Sequence, residues 1–372
     1  MKGKPVIPPV YLTATYEFQR TDDLIDVVQH RSGFIYSRWD NPTVRETEKA
    51  LATMEGYDEA VAFSSGMAAI TTSILAFLDR DSRIIVMRET YGGTFEFVHR
   101  FLPRLGIEVI DVGCDEVDSC RAEIEKGLTL LYLETPTNPL LRIIDVKPLA
   151  ELAHEKGAVV LLDSTFASPV NQRPVELGVD IAIHSATKYL GGHHDITAGF
   201  ACCNREDGKR IWEYRKVMGG VLDPMTAFLT LRGMKTLELR VRRQNETTMK
   251  VAQFLAAHGK IRVVHYPGLS THLDHPIAER QMKGFGGMLS FEIEADFEGT
   301  KRFMDSLKVI KLATSLGGVT SLATQPTTNT HVALSADERQ KAGISDSLVR
   351  ISIGLEDAGA LIDDIEQAFA AV

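Results

Sequence analysis

Four cysteines, Cys114, Cys120, Cys202 and Cys203, are all that this chain of 372 residues carries. They form no C-x-x-C pair and no regular framework, which argues against a disulfide-stapled scaffold or a structural zinc and favours a reducing cytoplasm. Long apolar runs are missing as well. Nothing approaches the ~20 residues of a membrane span, and Met1-Lys2-Gly3-Lys4-Pro5-Val6 has neither the apolar stretch nor the small-residue cleavage site of a signal peptide. Positive charge is not in excess: 41 Lys and Arg face 50 Asp and Glu, a net charge of -9. No broad positive field is left for phosphodiester backbones, so nucleic acid is not an expected partner. Neither a G-x-G-x-x-G after an apolar run nor a phosphate loop ending in Gly-Lys-Ser/Thr is present, which argues against a nucleotide-dependent dehydrogenase.

What is present is apolar material for more than one core: 44% of the residues are hydrophobic, and the chain is longer than one core usually supports. Apolar runs at Arg83–Met87, Glu108–Val112, Thr129–Glu134, Ala158–Asp163 and Asp180–His184 read as buried strands. Between them, Gly66–Leu78, Thr94–Leu105, Ser119–Lys126 and Val146–Lys156 read as helices, so a mostly parallel α/β sheet between helical layers is expected. Beyond Pro224 the pattern becomes one long helical stretch, Met225–His258, then strands such as Gly287–Glu294 and Leu348–Leu355, and a helix from Ala358. The expected division is an arm over 1–45 that reaches a neighbouring subunit, a large domain over 46–230 and a smaller α+β domain over 231–372.

In such sheets ligands gather beyond the carboxyl ends of the strands. Three strands end in reactive groups there: Glu134, Asp163, and the run Ser185-Ala186-Thr187-Lys188. An acid after Val159-Val160-Leu161-Leu162 needs a cation or a hydrogen-bonded role, such as a protonated pyridine nitrogen or a cap for the following turn. Lys188, with hydroxyl residues before it and Gly191-Gly192 after it, suits an aldehyde; in isolation a loop lysine is more often a solvated charge. Ser64-Ser65-Gly66-Met67 opens a helix and offers backbone N–H groups to an anion, or is an ordinary N-cap. Tyr91 stands at a strand-to-helix turn, placed either to stack on a planar ring or to pack in the core. Arg350 interrupts an apolar strand and demands a carboxylate, from a substrate or from a structural ion pair. His193-His194-Asp195 lacks a third ligand at usable spacing, so no metal is expected.

Taken together, Tyr36-Ser37-Arg38 with Asn41-Pro42-Thr43, Ser65-Gly66-Met67-Ala68-Ala69, Tyr91-Gly92-Gly93-Thr94, Glu134-Thr135-Pro136-Thr137-Asn138-Pro139, Ser185-Ala186-Thr187-Lys188-Tyr189 and Arg350-Ile351-Ser352-Ile353-Gly354 resemble the Cys/Met-metabolism family of pyridoxal-phosphate enzymes. That family includes cystathionine γ-synthase, cystathionine γ-lyase and methionine γ-lyase. The resemblance implies an aspartate-aminotransferase-like fold with a mostly parallel seven-stranded sheet, pyridoxal 5'-phosphate as cofactor, and a homotetramer of two active dimers. It implies that Lys188 holds the cofactor, Asp163 faces the pyridine nitrogen, and Tyr91 stacks on the ring and donates a proton to the leaving group. It further implies that Gly66, Met67, Ser185 and Thr187 bind the phosphate with Tyr36 and Arg38 of a neighbouring subunit. Asn138 is implied near the ring hydroxyl, with Ser315 and Arg350 receiving the substrate carboxylate.

Departures from the family pattern lie around the distal pocket. Thr314 precedes Ser315-Leu316-Gly317-Gly318 where relatives that handle cystathionine commonly carry glutamate. Gly93 and Lys216 stand where methionine γ-lyases typically have a cysteine and a nearby acid, and Thr320 and Thr324-Gln325-Pro326-Thr327-Thr328-Asn329 are atypical. The expected activity is γ-elimination, with β-elimination also open, on a sulfur amino acid or homoserine derivative; the alternative is γ-replacement between an O-acylhomoserine and a thiol.

Overall fold

The computed structural model describes residue 3, residues 5–328 and residues 343–372. The start of the chain is strapped to the helix that follows it. Asn41 caps α2 (Pro42–Glu55) by accepting the Thr43 N–H at 2.9 Å, and its amide donates to the Tyr11 carbonyl. Within the first 45 residues lies one full helix, α1 (Thr21–His30), and none of its residues is buried.

The large sheet has seven strands: β1 (Glu59–Phe63), β2 (Arg83–Met87), β3 (Glu108–Val112), β4 (Leu130–Glu134), β5 (Val159–Asp163), β6 (Ile181–Ser185) and β7 (Gly199–Cys203). Their spatial order is β1-β7-β6-β5-β4-β2-β3, and β7 alone runs antiparallel to its neighbours. The mostly parallel seven-stranded sheet implied by the resemblance is therefore present. Its central strands are apolar on both faces because both are covered. Ile84, Val86, Leu130, Leu161 and Ile183 pack beneath α3 (Gly66–Phe77) and the helix Arg205–Met218, while Ile85, Leu131, Val160 and Leu162 pack against the helices Val117–Glu125 and Val146–Glu155.

The apolar-run reading found five of these strands and missed β1 and β7. The sequence of β7, Gly-Phe-Ala-Cys-Cys, has no β-branched residue, and burial on both faces leaves it no alternation to read. The long helical stretch also differs: it is two helices, Pro224–Met234 and Leu237–Ala257. At the junction the Thr236 N–H bonds the Gly233 carbonyl, three residues back, so the first helix closes in a tight turn.

A second sheet of five strands carries β8 (Ile261–His265), β9 (Met288–Ile293), β10 (Lys311–Leu312), β11 (Leu322–Thr324) and β12 (Leu348–Ser352), in the order β10-β11-β12-β9-β8. The helices Leu237–Ala257, Phe297–Ser306 and Ala358–Ala368 cover it. Several bonds tie this sheet and the segment between β8 and β9 to the loop that follows β4. Asp274 takes the Arg142 guanidinium at 2.6 and 3.2 Å, and the Ser290 hydroxyl donates to the Pro139 carbonyl at 2.7 Å.

Candidate active site

β6, β5 and β4 lie side by side, so Ser185, Asp163 and Glu134 share one edge of the large sheet, and Lys188 follows three residues beyond β6. The Lys188 amine donates to the Ser315 hydroxyl at 3.0 Å, across 127 residues of sequence. Burial, helped by the nearby Arg350 charge, pulls its pKa down from 10.5 to about 8. A buried amine of that kind holds a sizeable neutral fraction near neutrality, which is what a nucleophilic lysine needs.

Arg350 sits on β12 at 4% exposure. Its guanidinium donates to Asn138 Oδ1 at 2.6 Å and, more weakly, to the Ser315 carbonyl at 3.4 Å. Among the described residues it has no carboxylate partner, and burial lowers it to about 10. Of the two partners left open by the sequence, the structural ion pair is thus not found there. An arginine buried with only neutral acceptors is a receptor for an anion.

Asp163 is 7% exposed, and its Oδ1 accepts the Thr165 N–H at 2.9 Å, so part of the capping reading holds. No helix starts there, however, and no ion-pair partner lies among the described residues; burial raises the carboxyl. A buried acid with no ion-pair partner among the described residues suits a cationic nitrogen. Thr165 was not singled out from sequence, yet its hydroxyl also accepts the Ser185 N–H at 2.9 Å and so joins the ends of β5 and β6.

α3 begins beside this edge. Ser65 is its N-cap, accepting the Ala68 N–H at 3.1 Å, so the ordinary capping reading is correct for Ser65. Gly66 and Met67 follow with N–H groups that no backbone carbonyl of the helix can satisfy. A Cβ on Gly66 would lie 2.8 Å from Ser185 Cβ, so only glycine lets these N–H groups sit against the Ser185 hydroxyl. That hydroxyl makes no hydrogen bond among the described residues, whereas the Thr187 hydroxyl is engaged with both backbone groups of Ala198. The arrangement can hold a phosphate. Tyr91 caps α4 (Gly92–Arg100); its N–H donates to Glu134 Oε2 at 2.7 Å, and its ring, 46% exposed, lies near Met67.

Pyridoxal phosphate requires an amine for its aldehyde, an acid for its ring nitrogen and donors for its phosphate, and the residues of this edge fit all three. Tyr36 and Arg38 are not part of the cluster. Both are exposed on the segment before α2, where Arg38 stacks on Tyr36 at 5.5 Å and donates to the Lys216 carbonyl at 2.5 Å. Sequence reasoning placed Ser315 with the substrate carboxylate and missed its bond to Lys188. A non-glycine residue at φ 84 marks Ser315 as held in place, a signal visible only in the folded chain. Of the atypical distal segment, Asn329 lies outside the described residues.

Comparison with known proteins shows the family. Cystathionine gamma-synthase 1, chloroplastic, of Arabidopsis thaliana is 42% identical over 369 residues, which cover 99% of this chain but only 66% of that protein. The L-methionine gamma-lyase of Fusobacterium nucleatum subsp. polymorphum is 41% identical over 363 residues, covering 96% of this chain and 92% of the relative. The crystal structure of cystathionine gamma synthase from Xanthomonas oryzae pv. oryzae, in complex with aminoacrylate and cysteine, superposes with a TM-score of 0.94 at 36% identity, over 98% of this chain and 93% of that one. The family model described as Cys/Met metabolism PLP-dependent enzyme matches residues 2–370. A match of that length, over a strand edge that presents a buried amine, a buried acid and an anion pocket together, shows that the chain belongs to the Cys/Met-metabolism family of PLP-dependent enzymes.

Proposed function

We propose that the protein catalyses γ-elimination, and β-elimination on shorter substrates, from a sulfur amino acid or homoserine derivative, releasing a 2-oxoacid and ammonia. One observation carries the reading: a buried amine and a buried guanidinium without a carboxylate partner among the described residues both bond Ser315. An amino acid offers the matching groups, a carboxylate for Arg350 and an α-hydrogen for Lys188.

When bound, pyridoxal 5'-phosphate supplies an electron sink for the pair left on Cα. The chain does the rest. Lys188 would hold the cofactor when idle and, once displaced by substrate, would take the proton from Cα, deliver it to the cofactor side of the bound substrate, and so be free to take a second proton from Cβ. Asp163 faces the pyridine nitrogen and keeps it protonated. Gly66, Met67, Ser185 and Thr187 hold the phosphate, and Tyr36 and Arg38 from a second copy of the chain complete that pocket. Asn138 sits by the ring hydroxyl and orients Arg350, which with Ser315 fixes the carboxylate. Tyr91 covers the ring face and donates a proton to the sulfur or oxygen leaving Cγ.

The reading extends to a homotetramer of two active dimers in the cytoplasm, with an arm over 1–45, a cofactor-binding domain over 46–230 and a small domain over 231–372. Among the described residues no helix is long and apolar enough to cross a membrane.

A second reading is γ-replacement by a thiol on an O-acylhomoserine. It is favoured by the relatives named synthases, which include the Arabidopsis protein and the Xanthomonas structure. Both readings use the same residues and differ in what meets the intermediate state, a proton or a thiol. Incubating cystathionine, methionine, homocysteine and O-acylhomoserines with and without a thiol, and measuring 2-oxobutanoate against thioether, separates them. Oxoacid formed without thiol is expected; thioether alone, or no oxoacid from any candidate, overturns the elimination reading.

A further inference from the structure

Glu134 ends β4, and the steps proposed above leave it without a task. It is 4% exposed and directly in register with Asp163. Leu130 and Tyr132 of β4 face the same side of the sheet as Leu161 of β5. With side chains alternating along each strand, Glu134 and Asp163 therefore project side by side on that face. Neither has an ion-pair partner among the described residues. What Glu134 does hold is main chain: its Oε2 accepts the Tyr91 N–H at 2.7 Å, at the residue where α4 begins.

That bond matters because little else fixes the ring. The Tyr91 phenol makes no hydrogen bond among the described residues, and the side chain is half exposed. A ring left to its own rotamers would sweep across the site, so its direction depends on how the turn beneath it is anchored.

The charges around Glu134 are compatible with an anchor. Asp163 faces it from β5, with the Tyr132 phenol on its own strand and Tyr91 in the turn above, and the Asp163 charge acts on Glu134. Burial, together with that charge, pushes the Glu134 carboxyl well above its usual range. Its neutral form still accepts an N–H, and the Thr165 N–H donates to the neighbouring Asp163.

We infer that Glu134 is a positioning residue that fixes the Tyr91 ring over the cofactor by holding the Tyr91 main chain from the end of β4. The inference rests on the reading above in one respect, that Tyr91 stacks on the cofactor. Two substitutions separate its possible roles. Glu134→Gln keeps an uncharged acceptor of the same size, whereas Glu134→Met fills the space without one. Each cofactor-loaded variant is compared with the wild-type holoenzyme by the visible circular dichroism of the bound cofactor, which reports ring orientation, and by kcat and KM separately.

Glu134→Met is expected to keep bound cofactor by absorbance, to lose most of the visible dichroism, and to drop kcat about tenfold or more with KM within about threefold. Glu134→Gln is expected to restore dichroism and kcat. A Met variant with wild-type dichroism overturns the inference, and so does a Gln variant that loses dichroism and kcat, whether or not the Met variant folds. If the wild-type protein releases neither oxoacid nor thioether, the proposed reaction fails while the dichroism comparison still decides the role of Glu134.

Discussion

The proposed reactivity of this site is concentrated in one amine. The Lys188 pKa of about 8 arises because burial and the Arg350 charge both penalise the ammonium form. Near pH 7 roughly a tenth of such amines are neutral, against well under a thousandth for a solvated lysine. Reconstitution of the cofactor-free protein with pyridoxal phosphate should therefore quicken with a midpoint near pH 8, followed by the growth of the bound-cofactor absorbance from pH 6 to 10. A midpoint near the ordinary lysine value would mean that the side chain is solvated. The sign for stability follows from the same shift. Between about 8 and 10.5 the unfolded chain binds the extra proton, so this residue favours the folded state increasingly as pH rises through that window, and its full penalty is present below it.

At the scale of elements, the proposed site depends on a strand that lends it no side chain. β7 runs antiparallel between β1 and β6, and Gly199 at its start is in register with both Phe63 and Ser185. A Cβ at Gly199 would meet the Ser65 carbonyl at 2.1 Å, so glycine is what allows the α3 N-terminus to lie against the end of β6. Gly199→Ala should push Gly66 and Met67 away from Ser185, weakening pyridoxal phosphate binding about tenfold or more. Overpacking of this kind costs about 1–3 kcal/mol, so a lower melting temperature is expected as well. Unchanged cofactor affinity by titration would show that the phosphate does not sit there. None of this dependence was legible in the sequence. Strands whose apolar runs contain Val, Ile and Leu declared themselves, and so did Asp163, Ser185 and Lys188 at strand ends. β7 did not, because small residues buried on both faces leave no period to read. The break at Lys235-Thr236 was hidden by an unbroken helical composition. The bonds from Lys188 to Ser315 and from Arg350 to Asn138 join residues 127 and 212 positions apart, a closeness that no local pattern carries; only the resemblance had grouped these residues.

At the scale of the whole molecule, two proposed phosphate ligands, Tyr36 and Arg38, lie on the exposed segment before α2 and not with Lys188. If a second copy supplies them, an Arg38→Ala chain and a Lys188→Ala chain should each be nearly inactive alone yet partly active together. Random reassociation of equal amounts restores one intact site in half of the dimers, or about a quarter of wild-type turnover. Mixtures that stay inactive after co-refolding would mean that Arg38 serves the site of its own chain and not that of a second copy. α1 leads to a related consequence. A ten-residue helix that buries nothing in its own chain is marginal in water, since most helical stability comes from packing. If the proposed dimer covers it, its order is borrowed from association and varies with protein concentration. Dilution should fray this segment and silence catalysis while both sheets remain folded, so specific activity becomes a reporter of mass action rather than of denaturation.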